Sequence, residues 1–244
     1  MKRVELIAVE GLPEVRPGDD LGLLIAERAA LENGDVLVIA QKVVSKSEGR
    51  LVELASVTAS DEAQRLAPRL VAAPDPRMVQ VVLDESVRVL RSERVLITET
   101  RHGFVSANSG VDHSNVGAGL LALLPVDPDA SAQGIRRRLL ERTGAQVGVI
   151  VSDTFGRPWR LGIVNVALGV AGVPALVDLR GTTDDAGEPL HATVLAVADE
   201  IAASAGLVMG KTGRTPAVIL RGLTLAGVGS GRDLIRPADE DLFR

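Results

Sequence analysis

Apolar residues recur along the chain at strand and helix spacing, without a strict strand–helix–strand rhythm. "VELIAVEGL" (4–12) reads as a first strand. Beyond "PGDD", Leu21, Leu24, Ile25 and Leu31 share one helical face, which Asn33-Gly34 stops. "DVLVIA" (35–40), a short run rich in β-branched residues, predicts a buried strand that opens onto the polar "QKVVSKSEGR". Helices are predicted over 60–72 and 76–92, on either side of Pro74 and Pro76, followed by a strand at "RVLITET" (94–100). After the polar "RHGFVSANSGVDHSNVG" comes a helix near 130–143, with Ile135, Leu139 and Leu140 on its apolar side and Arg136 to Arg138 on its solvated face. "VGVIVSDT" (147–154) carries the strongest strand signal. A strand at 174–181, a helix at 190–205 and a strand at 216–222 complete the pattern. No repeat, low-complexity linker or domain boundary interrupts it, so the expectation is one α+β or irregular α/β domain over 1–244, with room for two lobes.

Composition narrows the function. At 244 residues and 46% hydrophobic the chain can bury a sizeable core, but with three Phe, one Trp and no Tyr that core is aliphatic. Few aromatics, a net charge of −5 and a pI near 5.3 argue against nucleic-acid binding. No cysteine means no disulfide and no thiolate metal site. Glu5 and Glu10 break the N-terminal apolar stretch, which makes a poor signal peptide. The longest apolar run (161–177) carries Asn165 and Pro174 and reads as buried core rather than a membrane span. A cytoplasmic protein is expected.

Three polar segments sit where strands end: "AQKVVSKSEGR" with Lys42 and Lys46, "SGVDHSN" with Asp112, Ser114 and Asn115, and "SDTFGRPWR" with Asp153, Thr154, Arg157 and Arg160. A carboxylate directly after an apolar strand is held rigidly at the sheet edge, and two aspartates with a threonine suit a hard cation beside phosphate. Asp112 fits an Asx-turn after Gly110 equally well, and Asp153 fits a turn cap. His113 is read as structural or surface, Trp159 as a core anchor, and "GVGSGRD" (227–233) as a turn. "AGLVMGKT" (205–212) matches a loose P-loop pattern, yet a helix leads into it and a strand leads out, the reverse of a Walker A site.

Taken in order, "GLPEVRPGDDL", "GDVLVIAQKVVSKSEGR", "HGFVSANSGVDHSNVG", "VIVSDTFGRPWRLGIVNVALGVAG", "VADEIAASAGLVMGK" and "RPADEDLFR" resemble the coenzyme F420-0:γ-glutamyl ligase family along essentially the whole chain. The resemblance implies a mixed-sheet α/β fold, an intertwined homodimer, and GTP-dependent addition of L-glutamate to the lactyl carboxylate of F420-0. Further γ-linked glutamates can follow, and GDP and phosphate are released. It implies Mg²⁺ or Mn²⁺, with K⁺ assisting. Guanine-nucleotide contacts carry over to Leu12, Pro13, Glu14 and Val15, to Gln41, Lys42, Lys46 and Asn115, and to the loop Met209, Gly210, Lys211, Thr212, Gly213, Arg214, Thr215 and Pro216. Metal ligands carry over to Asp112, Asp153 and Thr154, so the resemblance assigns the chemistry to Lys42, Lys46, Asp112 and Asp153.

Two positions depart from the family pattern. Gln41 stands where a Ser-Lys pair begins, and Lys211 stands where relatives carry a Gln near a second metal. An ammonium cannot ligate a metal, so either that site is altered or Lys211 meets phosphate. Arg157 and Arg160 are candidates, by chemistry alone, for the diphosphate or carboxylates of the acceptor. Some bacterial relatives continue into a flavin-binding reductase domain, and none is expected within these 244 residues. A related carboxylate–amine ligase with another acceptor, or a non-catalytic nucleotide-binding regulator, are the alternative functions.

Overall fold

The computed structural model describes residues 3–241. Met1 and Lys2 of the N-terminal segment, and the last three residues of "RPADEDLFR", lie outside the described residues. Twelve strands and six α-helices are assigned there: β1 Glu5–Ala8, α1 Leu21–Ala26, β2 Val36–Ala40, α2 Gln41–Ser47, β3 Leu51–Glu53, α3 Asp61–Leu66, α4 Pro76–Asp84, β4 Ser86–Arg91 and β5 Ile97–Thr100. They continue with β6 Val105–Ala107, β7 Leu120–Ala122, α5 Pro128–Thr143, β8 Gly148–Arg157, β9 Arg160–Ala171, β10 Val177–Asp178, β11 Val194–Leu195, α6 Val197–Met209 and β12 Ala217–Arg221. The fold is α+β around a mixed sheet of order β1-β12-β2-β8-β9, in which only β2 and β8 run parallel.

Strand alternation sorts the core into two layers. Leu37, Ile39, Val149, Val151 and Ile219 face one way and pack on Ile25 of α1 and on Ala132, Ile135 and Leu139 of α5. Val36, Val38, Ile150, Val218 and Leu220 face the other way, against Ile201, Ala202, Ala205 and Met209 of α6. A third cluster joins α3 and α4 to Leu96, Leu121 and Leu123 beside the smaller sheets. Asp35, only 1% exposed, pins the start of β2 to β12 through a two-pronged bond from Arg221 at 2.9 and 2.8 Å.

Several expectations are corrected. The helix foreseen over 76–92 stops at Asp84, because Val87 and Val89 belong to the edge-strand run of β4, which pairs with β5. The polar segment after β2 is itself a helix, α2. The first helix ends at Ala26, well before Asn33-Gly34. Leu140 is exposed rather than packed beside Leu139. The apolar run after 160 is strand β9, paired with β8, whereas the strand foreseen at 174–181 shrinks to the two residues of β10. The last helix spans 197–209, later than foreseen. Trp159 is not a core anchor: it sits at the β8–β9 turn, beyond the covered part of the sheet, and is 79% exposed. "GVGSGRD" is more than a turn, since a Cβ on Gly231 would lie 1.9 Å from the Leu168 carbonyl oxygen.

That close approach yields a stability contrast. Gly231→Ala must displace backbone and is expected to cost about 3 kcal/mol. Gly134→Ala, inside α5 with open space around the new methyl, is expected to stabilise by about 0.5–1 kcal/mol. Urea unfolding of both variants measures the difference.

Candidate functional site

β2 and β8 lie side by side in parallel, with Ala40 level with Ser152, so their carboxyl ends open on the same edge of the sheet. Ligands in open α/β sheets bind at such edges. Here the edge forms a cleft of about 510 Å³, within the range of about 300–1,000 Å³ typical of small-molecule sites.

Six segments build its walls, one of them β9 through Asn165. From the N-terminal loop come Leu12, Pro13, Glu14 and Val15, and from α2 come Gln41, Lys42 and Lys46. Asp112 and Asn115 arrive from the loop before β7, and Asp153 and Thr154 from β8. Met209 ends α6, and Gly210, Lys211, Thr212, Arg214, Thr215 and Pro216 lead from it into β12. Of the residues carried over from the resemblance, Gly213 alone is not in the wall. The loop after α6 is no Walker A site: the helix precedes the glycine, which closes it at φ 55°, ψ −158°, a conformation suited to glycine. Arg157 and Arg160 lie away from the cleft on the β8–β9 hairpin, and His113 is exposed outside it.

Lys42 and Lys46 are four residues apart on α2 and so share a face. Lys46 is 8% exposed, and its ammonium is 2.5 Å from Glu14 Oε1. That hydrogen bond is the main reason the Glu14 carboxyl lies below its usual range. Lys42 Nζ donates to Asp112 Oδ2 at 2.7 Å and to the Ser114 carbonyl at 2.8 Å. Asp112 also accepts from Ser114 N at 2.7 Å, the Asx-turn the sequence allowed. Burial alone would raise the Asp112 carboxyl, but the bonds from Lys42 and Ser114 hold it below its ordinary value.

Asp153 behaves in the opposite way. Burial is the main cause that pushes its carboxyl up to about 6, and the charge of Asp112 adds to the rise. The Thr154 N–H and the charges of Lys211 and Lys42 oppose it without winning. Lys211 Nζ donates to Thr154 Oγ1 at 2.6 Å. Gln41, 2% exposed, accepts a hydrogen bond from Ser45 inside α2.

Asp112, Asp153 and Thr154 offer only oxygen, which fits a hard divalent cation. Among the described residues no group of three or more His, Cys, Asp or Glu could enclose a metal. The remaining coordination would fall to water and ligand oxygens, as Mg²⁺ prefers. Sequence reasoning missed Ser152 and Asn165, which also line the cleft. Ser152 was hidden as one more small residue in the β8 run, and Asn165 as a break in an apolar stretch.

The F420-0:Gamma-glutamyl ligase family model matches residues 11–222. The chain is 47% identical to the coenzyme F420:L-glutamate ligase of Archaeoglobus fulgidus over 99% of this chain and 97% of that protein. It is 48% identical to the protein of that name from Methanopyrus kandleri (99% and 97% covered) and 45% identical to that of Methanocaldococcus jannaschii (100% and 98% covered). With both of its candidate metal carboxylates gathered at one sheet edge, and with alignment to these relatives over nearly its whole length, this chain belongs to the F420-0:γ-glutamyl ligase family.

Proposed function

We propose that the protein joins L-glutamate to the lactyl carboxylate of coenzyme F420-0 in the cytoplasm, consuming GTP and releasing GDP and phosphate, and that it can extend the product by γ-linked glutamates. What supports this most is one cleft that gathers Asp112, Asp153 and Thr154 with the cations Lys42, Lys46, Lys211 and Arg214, in a member of this family. Among the described residues no helix is long and apolar enough to cross a membrane.

A carboxylate is a poor acyl donor. In the proposed reaction one of its oxygens attacks the γ-phosphorus of GTP, the bond to the β,γ-bridging oxygen breaks, and GDP leaves. The glutamate amine then attacks the acyl carbon, the carbon–oxygen bond to phosphate breaks, and one amine proton passes to water. The chain's part is to position these groups and to face the phosphates with fixed positive charge. Lys42 and Lys46 leave Asp112 and Glu14 for the nucleotide, and Lys211 reaches phosphate from Thr154. Asp112, Asp153 and Thr154 would hold Mg²⁺ or Mn²⁺, and K⁺ is the proposed monovalent aid. A divalent cation held there would supply Lewis-acid offset of the phosphate charge. Lys211 already sets a cation on Thr154, which supports its standing in for a second metal.

We propose a homodimer as well. Trp159, Leu161 and Ile163 are 79, 98 and 59% exposed on the hairpin, an apolar tip suited to burial against a second copy.

Incubation with F420-0, L-glutamate and GTP, followed by mass measurement, is expected to give F420-0 extended by glutamate. Phosphate release with a different acceptor, or binding without turnover, would replace the proposal with one of its alternatives. Asp153→Asn is expected to lower turnover at least 100-fold while the fold persists. The same change removes a pH effect. A carboxyl raised from 3.8 to about 6 in the native state keeps its proton there while the unfolded chain loses it, so stability without metal falls between about pH 4 and 6, by up to about 3 kcal/mol. Asp153→Asn is expected to flatten that slope in denaturant titrations. Lys211→Ala is expected to weaken GTP and GDP binding about tenfold by calorimetry, and unchanged affinity would remove Lys211 from the nucleotide site. Trp159→Glu with Leu161→Glu is expected to halve the mass measured by light scattering.

A further inference from the structure

β8 divides the cleft by alternation. Asp153 follows Val151, which packs on the α1 and α5 side, whereas Ser152 and Thr154 follow Ile150 toward α6. Thr154 is level with Asn165 of β9, so the Asn165 amide joins Ser152 on this second face, under the end of α6. Gly206 of α6 leaves room for it: a Cβ there would stand 3.1 Å from the Asn165 amide carbon.

Both polar groups are underused by the protein. Ser152 is 2% exposed, and its buried Oγ has no hydrogen-bond partner among the described residues. Asn165 donates only to the Met209 sulfur, a weak acceptor at 3.5 Å, and no described residue donates to its carbonyl oxygen. A buried hydroxyl is ordinarily satisfied by a hydrogen bond. The unpartnered Ser152 hydroxyl, with the half-buried Asn165 amide beside it in the cleft wall, therefore points to a ligand.

The chemistry of the remaining wall says which part of the ligand. Lys42, Lys46, Lys211 and Arg214 serve anions and cannot accept hydrogen bonds. Among the cleft's acidic side chains, Asp112 and Asp153 are assigned to the metal, and Glu14 stands on the N-terminal loop rather than on the β8–β9 face. On the α6 face of β8 and β9, the side-chain acceptors with no described donor are Ser152 Oγ and Asn165 Oδ1. Among the groups that react, the amine is the one that donates hydrogen bonds to such neutral acceptors.

Resting on the ligation proposed above, we infer that Ser152 and Asn165 form the subsite that receives the α-amino group of the incoming amino acid. They orient its nitrogen toward the acyl carbon on the α6 side of β8. Both are binding and positioning residues.

The test uses Asn165→Ala and Ser152→Ala in the full chain, each assayed for amide product against glutamate concentration. Ser152→Ala removes a hydroxyl with no described partner and should fold normally. The glutamate KM is expected to rise at least tenfold in each variant, with the GTP KM within twofold of wild type. Hydroxylamine, too small to need the subsite, replaces glutamate in a parallel assay. Hydroxamate formation is expected to fall less than threefold while glutamate ligation falls at least tenfold at fixed glutamate. An unchanged glutamate KM, or equal loss with both nucleophiles, would overturn the inference. A wild-type protein that makes the amide but no hydroxamate would contradict only the acyl-phosphate step, and the glutamate KM would still decide the subsite.

Discussion

A carboxylate drawn out of water at Asp153, with the charge of Asp112 adding to the cost, sets the terms for the rest of the site. Asp112 resolves the problem locally, with Lys42 and the Ser114 backbone and hydroxyl as partners. Asp153, one residue past the part of β8 that pairs with β2, has no ion pair among the described residues, and burial pushes its carboxyl up to about 6. A native structure that keeps such a group is paying stability for a site. In the proposed ligase the debt is settled by a divalent cation and the phosphates it accompanies.

The surrounding cations are consistent with a resting arrangement in which each holds a stand-in. Lys42 rests on Asp112, Lys46 on Glu14 and Lys211 on Thr154. These contacts keep positive charges ordered around the cleft. Preorganised charge of this kind acts on a transferring phosphoryl group without reorganising at the moment of reaction. The α6 face of β8, with Ser152 and Asn165, adds neutral hydrogen-bonding groups beside the Thr154 that Lys211 engages.

The central strands and the candidate cleft were legible because their signals are local or ordered. "DVLVIA" and "VGVIVSDT" are apolar at the buried positions apart from Asp35 and Ser152, and both became neighbouring strands. The family motifs identified cleft residues from five distant segments, although periodicity alone could not have joined residue 12 to residue 211. What misled was context. "SVRVLR" continues a helical rhythm on paper, but its β-branched residues pair with β5. Trp159 looked like core because large aromatics usually are, while the hairpin carries it beyond the sheet. Ser152 and Asn165 became visible only when the register of β8 and β9 placed them on one face.

The most direct test of the shared-cation claim is anomalous scattering from crystals grown with Mn²⁺ and GDP. The account predicts a manganese peak within bonding distance of the Asp112 and Asp153 carboxylates, with Thr154 nearby. A nucleotide bound in the cleft with its manganese held by neither aspartate would contradict it.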